Sequence, residues 1–130
     1  MRLPIEIQKE QGIPLYVQIE EQIRLLIHVG RLKPGSAMPT VRELAVDLSI
    51  NANTVSRVYQ DLQRAGVLEL RRGIGTFVAE RLPTPPAKPK DFEKIHGKVR
   101  ELVALSRLAG VRPRELFQLI EITWKEDANE

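Results

Sequence analysis

Apolar side chains recur at helical spacing in three stretches of the first half of the chain, then switch to short strand-like runs. Ile19, Ile23, Leu26 and Ile27 share one face of a helix that Pro14 can open and Gly30 closes. Lys33-Pro34-Gly35 is a turn. Thr40 and Glu43 then have the spacing at which each side chain bonds the other's backbone N–H, so a second helix starts there. Val41, Leu44, Ala45 and Leu48 form its inward stripe. Ser49-Ile50 is a tight turn, with Ile50 filling the angle between helices. Asn51 caps a third helix, whose inward positions are Val55, Val58, Tyr59 and Leu62 and whose end is Gly66. Val67, Leu68 and Leu70 read as a strand, Arg71-Arg72-Gly73 as a turn and Thr76-Phe77-Val78 as the return strand. Residues 1–12 read as a short lead-in.

An isolated two-stranded hairpin is marginal in water. This one must lie against the helices, where the wing of a winged helix lies. The expected fold class is therefore mainly α with a small β-hairpin: a winged helix-turn-helix domain over residues 1–82, followed by a short helical tail. Residues 83–90 form a linker, since Pro83, Pro85, Pro86 and Pro89 make a semi-rigid stretch. In the tail, residues 91–130, Ile95, Val99, Leu102 and Ala109 share a helical face that Val103, Leu105 and Leu108 widen. Pro113 opens a last helix carrying Leu116, Phe117, Leu119, Ile120 and Trp124. A unit of about 40 residues buries too little apolar surface to stand alone, and these helices are apolar over more than one stripe. The simplest partner is the same pair from a second copy, giving a four-helix bundle by two-fold symmetry. The dimerisation residues are expected to be Ile95, Val99, Leu102, Leu116, Phe117, Ile120 and Trp124.

The third helix opens with small polar residues and becomes apolar only on its far side. A helix N-terminus presents free N–H groups and partial positive charge, which attract phosphate. Asn51, Ala52, Asn53 and Thr54 crowd that end, and Ser56 and Arg57 lie further along the exposed side. An Asn amide can bond adenine N6 and N7 together, and Thr or Ser can reach phosphate or base. Arg57 could grip a phosphate or read a guanine. The plainer reading is that Asn51 only caps and its neighbours are solvated. Arg42 sits in the first turn of the second helix, where a cation is disfavoured unless an outside anion meets it. Arg71 and Arg72 at the hairpin turn could enter a minor groove or touch phosphates.

Composition narrows the alternatives without choosing among them. Hydrophobic residues make up 42%, enough for a packed core, and the formal charge of +3 is weak evidence for a polyanionic partner. Residues 1–82 hold 11 basic and 9 acidic side chains and residues 83–130 hold 9 and 8, so neither part is a basic arm. The absence of cysteine excludes disulfides and thiolate metal sites and fits a reducing compartment. No apolar run approaches the roughly 20 residues that span a bilayer, and the N-terminus lacks the apolar core of a signal peptide. A cytoplasmic protein without membrane attachment is expected. His28 and His96 are isolated, so no metal site is expected, and no nucleophile–base pair or carboxylate cluster supports catalysis or a cofactor.

The combined motifs resemble the GntR family of bacterial transcription regulators. The residues that carry the resemblance are Pro14-Leu15-Tyr16-x-Gln18-Ile19, Gly30-x-Leu32-x-Pro34-Gly35, Pro39-Thr40-Val41-Arg42-Glu43-Leu44-Ala45, Asn53-Thr54-Val55, Leu62 to Gly66 and Gly73-x-Gly75-Thr76-Phe77-Val78. The short tail, Val41 and the Asn51-Ala52-Asn53-Thr54 run are similar to the YtrA-type subfamily. The resemblance implies a homodimeric repressor on double-stranded DNA, at a palindromic operator. It implies DNA contacts at Arg42, at Asn51, Ala52, Asn53, Thr54 and Ser56, and at Arg72 and Gly73 of the wing tip. Ala52 departs from the pattern: many relatives carry a base-reading Arg there, and Ala52 offers only a methyl group, which could touch thymine. Larger relatives add a ligand-sensing or aminotransferase-like domain, for which the residues after 82 are too few. A small-molecule effector could sit between tail and winged helix, though no residue marks its pocket. The competing reading is a winged-helix adaptor for protein, which would need an apolar recognition face; here that face is polar.

Overall fold

The computed structural model describes residues 2–10 and 12–129. Seven elements follow in order: α1 (Leu15–His28), α2 (Val41–Leu48), α3 (Ala52–Arg64), β1 (Leu68–Arg71), β2 (Gly75–Val78), α4 (Pro89–Ala109) and α5 (Pro113–Ala128). They divide into two compact units, Met1–Pro89 and Lys90–Glu130. The architecture is mainly helical with one antiparallel hairpin, a winged helix-turn-helix followed by a helical pair.

Local signals set the ends of the central helices. At α2 the Glu43 N–H donates to Thr40 Oγ1 at 3.0 Å and the Thr40 N–H donates to Glu43 Oε1 at 3.2 Å, which closes the expected capping box. The helix stops at Ser49, whose φ of 54° turns the chain left-handed. The Ser49 and Ile50 N–H groups then donate back to Val46 and Ala45. Asn51 caps α3, its Oδ1 accepting from the Asn53 N–H at 2.8 Å. Gly66, at φ 77°, ends α3, as a position past the last helical turn requires.

The hairpin pairs Leu68 with Val78, Glu69 with Phe77, Leu70 with Thr76 and Arg71 with Gly75. It is not left as two strands. The Met38 N–H donates to Thr76 O at 2.8 Å, the Val78 N–H to Ser36 O at 2.8 Å and the Gly35 N–H to Val78 O at 2.9 Å. Residues 35–38 therefore line the outer edge of β2 and supply the support that two strands lack.

One core joins these elements. Ile19, Ile23 and Ile27 of α1, Leu44 and Ala45 of α2, and Val55, Val58, Tyr59 and Leu62 of α3 are buried together with Leu32, Met38, Val67, Leu68 and Val78. One expectation needs correction. The lead-in is part of this core, because Leu3 and Ile5 are buried in it. Two glutamines one helical turn apart on α1 hold its backbone as a neighbouring strand would. Gln22 accepts from the Glu6 N–H at 3.0 Å and donates to Glu6 O at 2.6 Å; Gln18 accepts from the Gln8 N–H at 2.7 Å and donates to Gln8 O at 2.9 Å. The proline-rich stretch that follows the hairpin is tied to the helices at one point and runs into the next helix. Leu82 packs against the core, the Ala87 N–H donates to His28 O at 2.7 Å, and Pro89 and Lys90 already belong to α4. Proline is tolerated in a first helical turn, so Pro89 opens the helix rather than delaying it.

In the second unit, Pro113 is the first residue of α5, and the Arg112 N–H donates to Glu115 Oε1 at 3.0 Å. Leu116 is buried, whereas Ile95, Val99, Leu102, Phe117, Ile120 and Trp124 are exposed.

Candidate nucleic-acid interface

The core fixes how α3 is presented. Val55, Val58, Tyr59 and Leu62 lock its inner face, and the Tyr59 hydroxyl donates to Pro39 O at 2.7 Å. That bond ties α3 to the segment entering α2. Burial, and secondarily the Glu43 carboxylate, pushes the Tyr59 hydroxyl well above its ordinary value, so it stays a neutral donor. With the inner face locked, the N-terminal turn points outward: Asn51, Ala52 and Asn53 are exposed and Thr54 and Ser56 half-buried. The Asn51 oxygen is occupied by its cap, which leaves the amide NH₂ facing solvent. Ser56 accepts from Gln60 Nε2 at 3.3 Å.

The expected basic residues divide into free and engaged ones. Arg42, in the first turn of α2, and Arg72, in the wing turn, are exposed, and neither forms an ion pair among the described residues. Beside Arg42, the hydrogen bonds from the Thr40 backbone and hydroxyl hold the Glu43 carboxyl below the usual range. Its charge is directed at the helix end, as the capping box requires. Arg57 lies 3.7 Å from the centre of the Tyr16 ring and 4.0 Å from Asp61, which also binds Arg64 at 2.6 Å.

Arg71 departs from expectation. It is the last residue of β1 rather than part of the turn, and its guanidinium lies 3.7 Å from both Glu69 and Glu80 and 4.2 Å from the Phe77 ring centre. The turn is Arg72-Gly73-Ile74, closed by the Ile74 N–H donating to Arg71 O at 3.0 Å, with Gly73 at φ 76°. The strand alternation explains the difference: Glu69 and Arg71 sit on one hairpin face with Phe77, and no such pairing is visible until the register is known. Tyr16 and Phe77, the aromatic supports of Arg57 and Arg71, were not singled out by pattern; both lie in the motif segments, and only contact reveals their role.

The surface thus combines an outward helix N-terminus, two side-chain amides, two free guanidinium groups and a short wing. It can meet phosphates and hydrogen-bonding base edges. Among the described residues no cluster of His, Cys, Asp and Glu could hold a metal, and no helix is long and apolar enough to cross a membrane.

Comparison with known proteins points the same way. Residues 15–78 match the family described as bacterial regulatory proteins, gntR family. The HTH-type transcriptional repressor YtrA of Bacillus subtilis (strain 168) is 36% identical over 117 residues, covering 90% of this chain and 89% of that protein. Among solved structures, YtrA from Sulfolobus acidocaldarius, described as a GntR-family transcription factor, superimposes with a TM-score of 0.55 at 27% identity, over 94% of this chain and 97% of that one. The DNA-binding domain of AraR in complex with operator ORX1 matches with a TM-score of 0.53 at 30% identity, over 61% of this chain and 99% of that one.

Proposed function

This chain belongs to the GntR family of bacterial regulatory proteins, resembles its YtrA type, and is a DNA-binding transcription regulator rather than an enzyme; from that premise we propose that it is a repressor that binds a palindromic operator as a homodimer in the cytoplasm. The observation that carries the reading is the exposed N-terminal turn of α3 with Asn51 and Asn53, together with Arg42 and Arg72, which are exposed and form no ion pair among the described residues. Asn53 reads base edges in the major groove, and the Ala52 methyl contacts thymine. Asn51 caps α3 through its oxygen and offers its NH₂ outward. Thr54, Ser56 and Arg42 contact phosphates. Arg72 and Gly73 bring the wing tip to the neighbouring minor groove, where a glycine lets the backbone approach closely. Arg57, stacked on Tyr16, reaches a phosphate at the rim, and Arg71 serves DNA by holding the wing.

The winged helix over 1–82 is the DNA-binding part, the 83–90 stretch connects it, and the tail over 91–130 joins two copies. The exposed Ile95, Val99, Leu102, Phe117, Ile120 and Trp124, with Leu116 beneath them, form the seam. A four-helix bundle from two tails hides an apolar surface that one tail leaves in water. No effector is needed for this reading.

Selection of bound duplexes from a random pool tests it, because it reports site, symmetry and half-site spacing together. A two-fold symmetric site is expected. Asn53→Ala should lower operator affinity by about 1–3 kcal/mol, the usual size of a bidentate base contact, while leaving random-DNA binding unchanged. An unaltered operator-to-random ratio refutes the base-reading role. The pair Phe117→Glu and Trp124→Glu should give a monomer by sedimentation; a persisting dimer refutes the tail assignment.

A further inference from the structure

The wing turn carries a largely exposed apolar side chain. Ile74 is 73% exposed, and Leu70, on the distal half of the same hairpin, is 59% exposed. The base of the hairpin is anchored through buried Leu68 and Val78, so the far end projects while the near end is fixed. Leu70 lies on the same face as Leu68 and continues the apolar strip outward past the core. Ile74 is not on a loose loop. Its N–H closes the turn on Arg71 O at 3.0 Å, and Arg71 is itself held by Glu69, Glu80 and the Phe77 ring. The tip therefore presents Arg72, which forms no ion pair among the described residues, next in the turn to a branched hydrocarbon whose backbone is hydrogen-bonded into that turn.

Resting on the DNA-binding reading above, we propose that Ile74 is a specificity-determining residue that makes the wing select A·T over G·C pairs in the minor groove. Arg72 supplies attraction to the negative groove, which follows the phosphate potential and the groove width rather than the functional groups of a single base pair. Ile74 supplies discrimination. In the minor groove the pairs differ chiefly by the guanine N2 amino group, a donor that projects from the floor. An isoleucine side chain has no acceptor for that donor and fills the space of the water that would otherwise take its hydrogen bond. An A·T pair presents no such donor, and the hydrocarbon meets sugar walls and base edges without stranding a polar group.

The test uses the full chain and the operator recovered by selection. Base pairs flanking each half-site are replaced one at a time by A·T, G·C or inosine·C, which keeps the major-groove face of G·C but lacks the N2 amino group. At the wing-contacted positions the wild type should bind A·T and inosine·C alike and G·C on the order of 10-fold more weakly, as expected for one stranded donor. Ile74→Asn, whose carbonyl can accept from N2, and Ile74→Ser should shrink that ratio to about 2-fold or less. Val46→Ser, which removes a comparably exposed hydrocarbon from α2, should leave the ratio intact. Because Ile74 carries no charge, its variants should also keep the wild-type salt dependence, whereas Arg72→Ala should lower the slope of log affinity against log salt by about 0.9. Discrimination that survives Ile74→Ser, or inosine·C behaving as G·C, overturns the assignment. Failure to recover any duplex at low salt overturns instead the DNA-binding reading beneath it.

Discussion

Replacing Tyr59 by phenylalanine removes one hydroxyl and keeps the ring that fills the core. The ring stays where α3 meets α2, so no cavity opens. What is lost is the 2.7 Å hydrogen bond to Pro39 O, and that carbonyl belongs to a buried residue. A typical hydrogen bond contributes about 1 kcal/mol net, and leaving a buried acceptor unpaired raises the loss to about 1–3 kcal/mol. We expect about 2 kcal/mol, which in a unit of this size lowers the melting temperature by roughly 10 °C. Tryptophan fluorescence is the wrong assay, since Trp124, the only tryptophan, lies in the other unit. Urea unfolding followed by far-ultraviolet dichroism, with amide exchange of α3, reports on the right part. A pH series gives a second readout. The folded-state value of the Tyr59 hydroxyl is raised, so its contribution is complete below the ordinary tyrosine value near 10 and is lost as pH climbs above it. Wild-type stability should therefore bend downward above about pH 10, and Tyr59→Phe should flatten that limb. A loss below about 0.5 kcal/mol, or parallel alkaline limbs, would refute the reasoning.

Three further outcomes follow from the same structure. Asn51→Ser should keep the α3 cap and the fold while Asn51→Ala costs about 1 kcal/mol; thermal melting of both separates the capping role from any DNA contact, which should be lost in both. Thr40→Val removes the hydroxyl half of the α2 box and with it part of the cause that depresses Glu43, so stability should fall less as the pH drops through the glutamate range than it does in the wild type; acid titration of unfolding checks the sign. Arg71→Ala should change stability by less than about 1 kcal/mol, because its two ion pairs are partly exposed. It should weaken operator binding with no change in salt slope, the signature of a loosened wing rather than a lost phosphate contact; a slope falling by about 0.9 would put Arg71 on DNA.

Much was legible in the sequence because the relevant signals are local. A capping box is set by two residues three apart, a helix face by spacing, and a helix end by a glycine that tolerates positive φ, so α2, α3 and the hairpin fall where Thr40, Glu43, Asn51 and Gly66 direct them. The polar opening of α3 is visible for the same reason. Contacts between residues distant in the chain were decided only by tertiary structure. Nothing in Leu3-x-Ile5 says which surface will cover it, and Gln18 and Gln22 become a clamp only once that segment lies beside α1. Arg71 and Arg72 are neighbours with the same side chain, yet the hairpin register folds one onto Glu69, Glu80 and Phe77 and leaves the other at the tip. The physical reason is that backbone geometry and capping act over a few residues, whereas which charges meet and which apolar atoms leave water depend on the whole chain's closure.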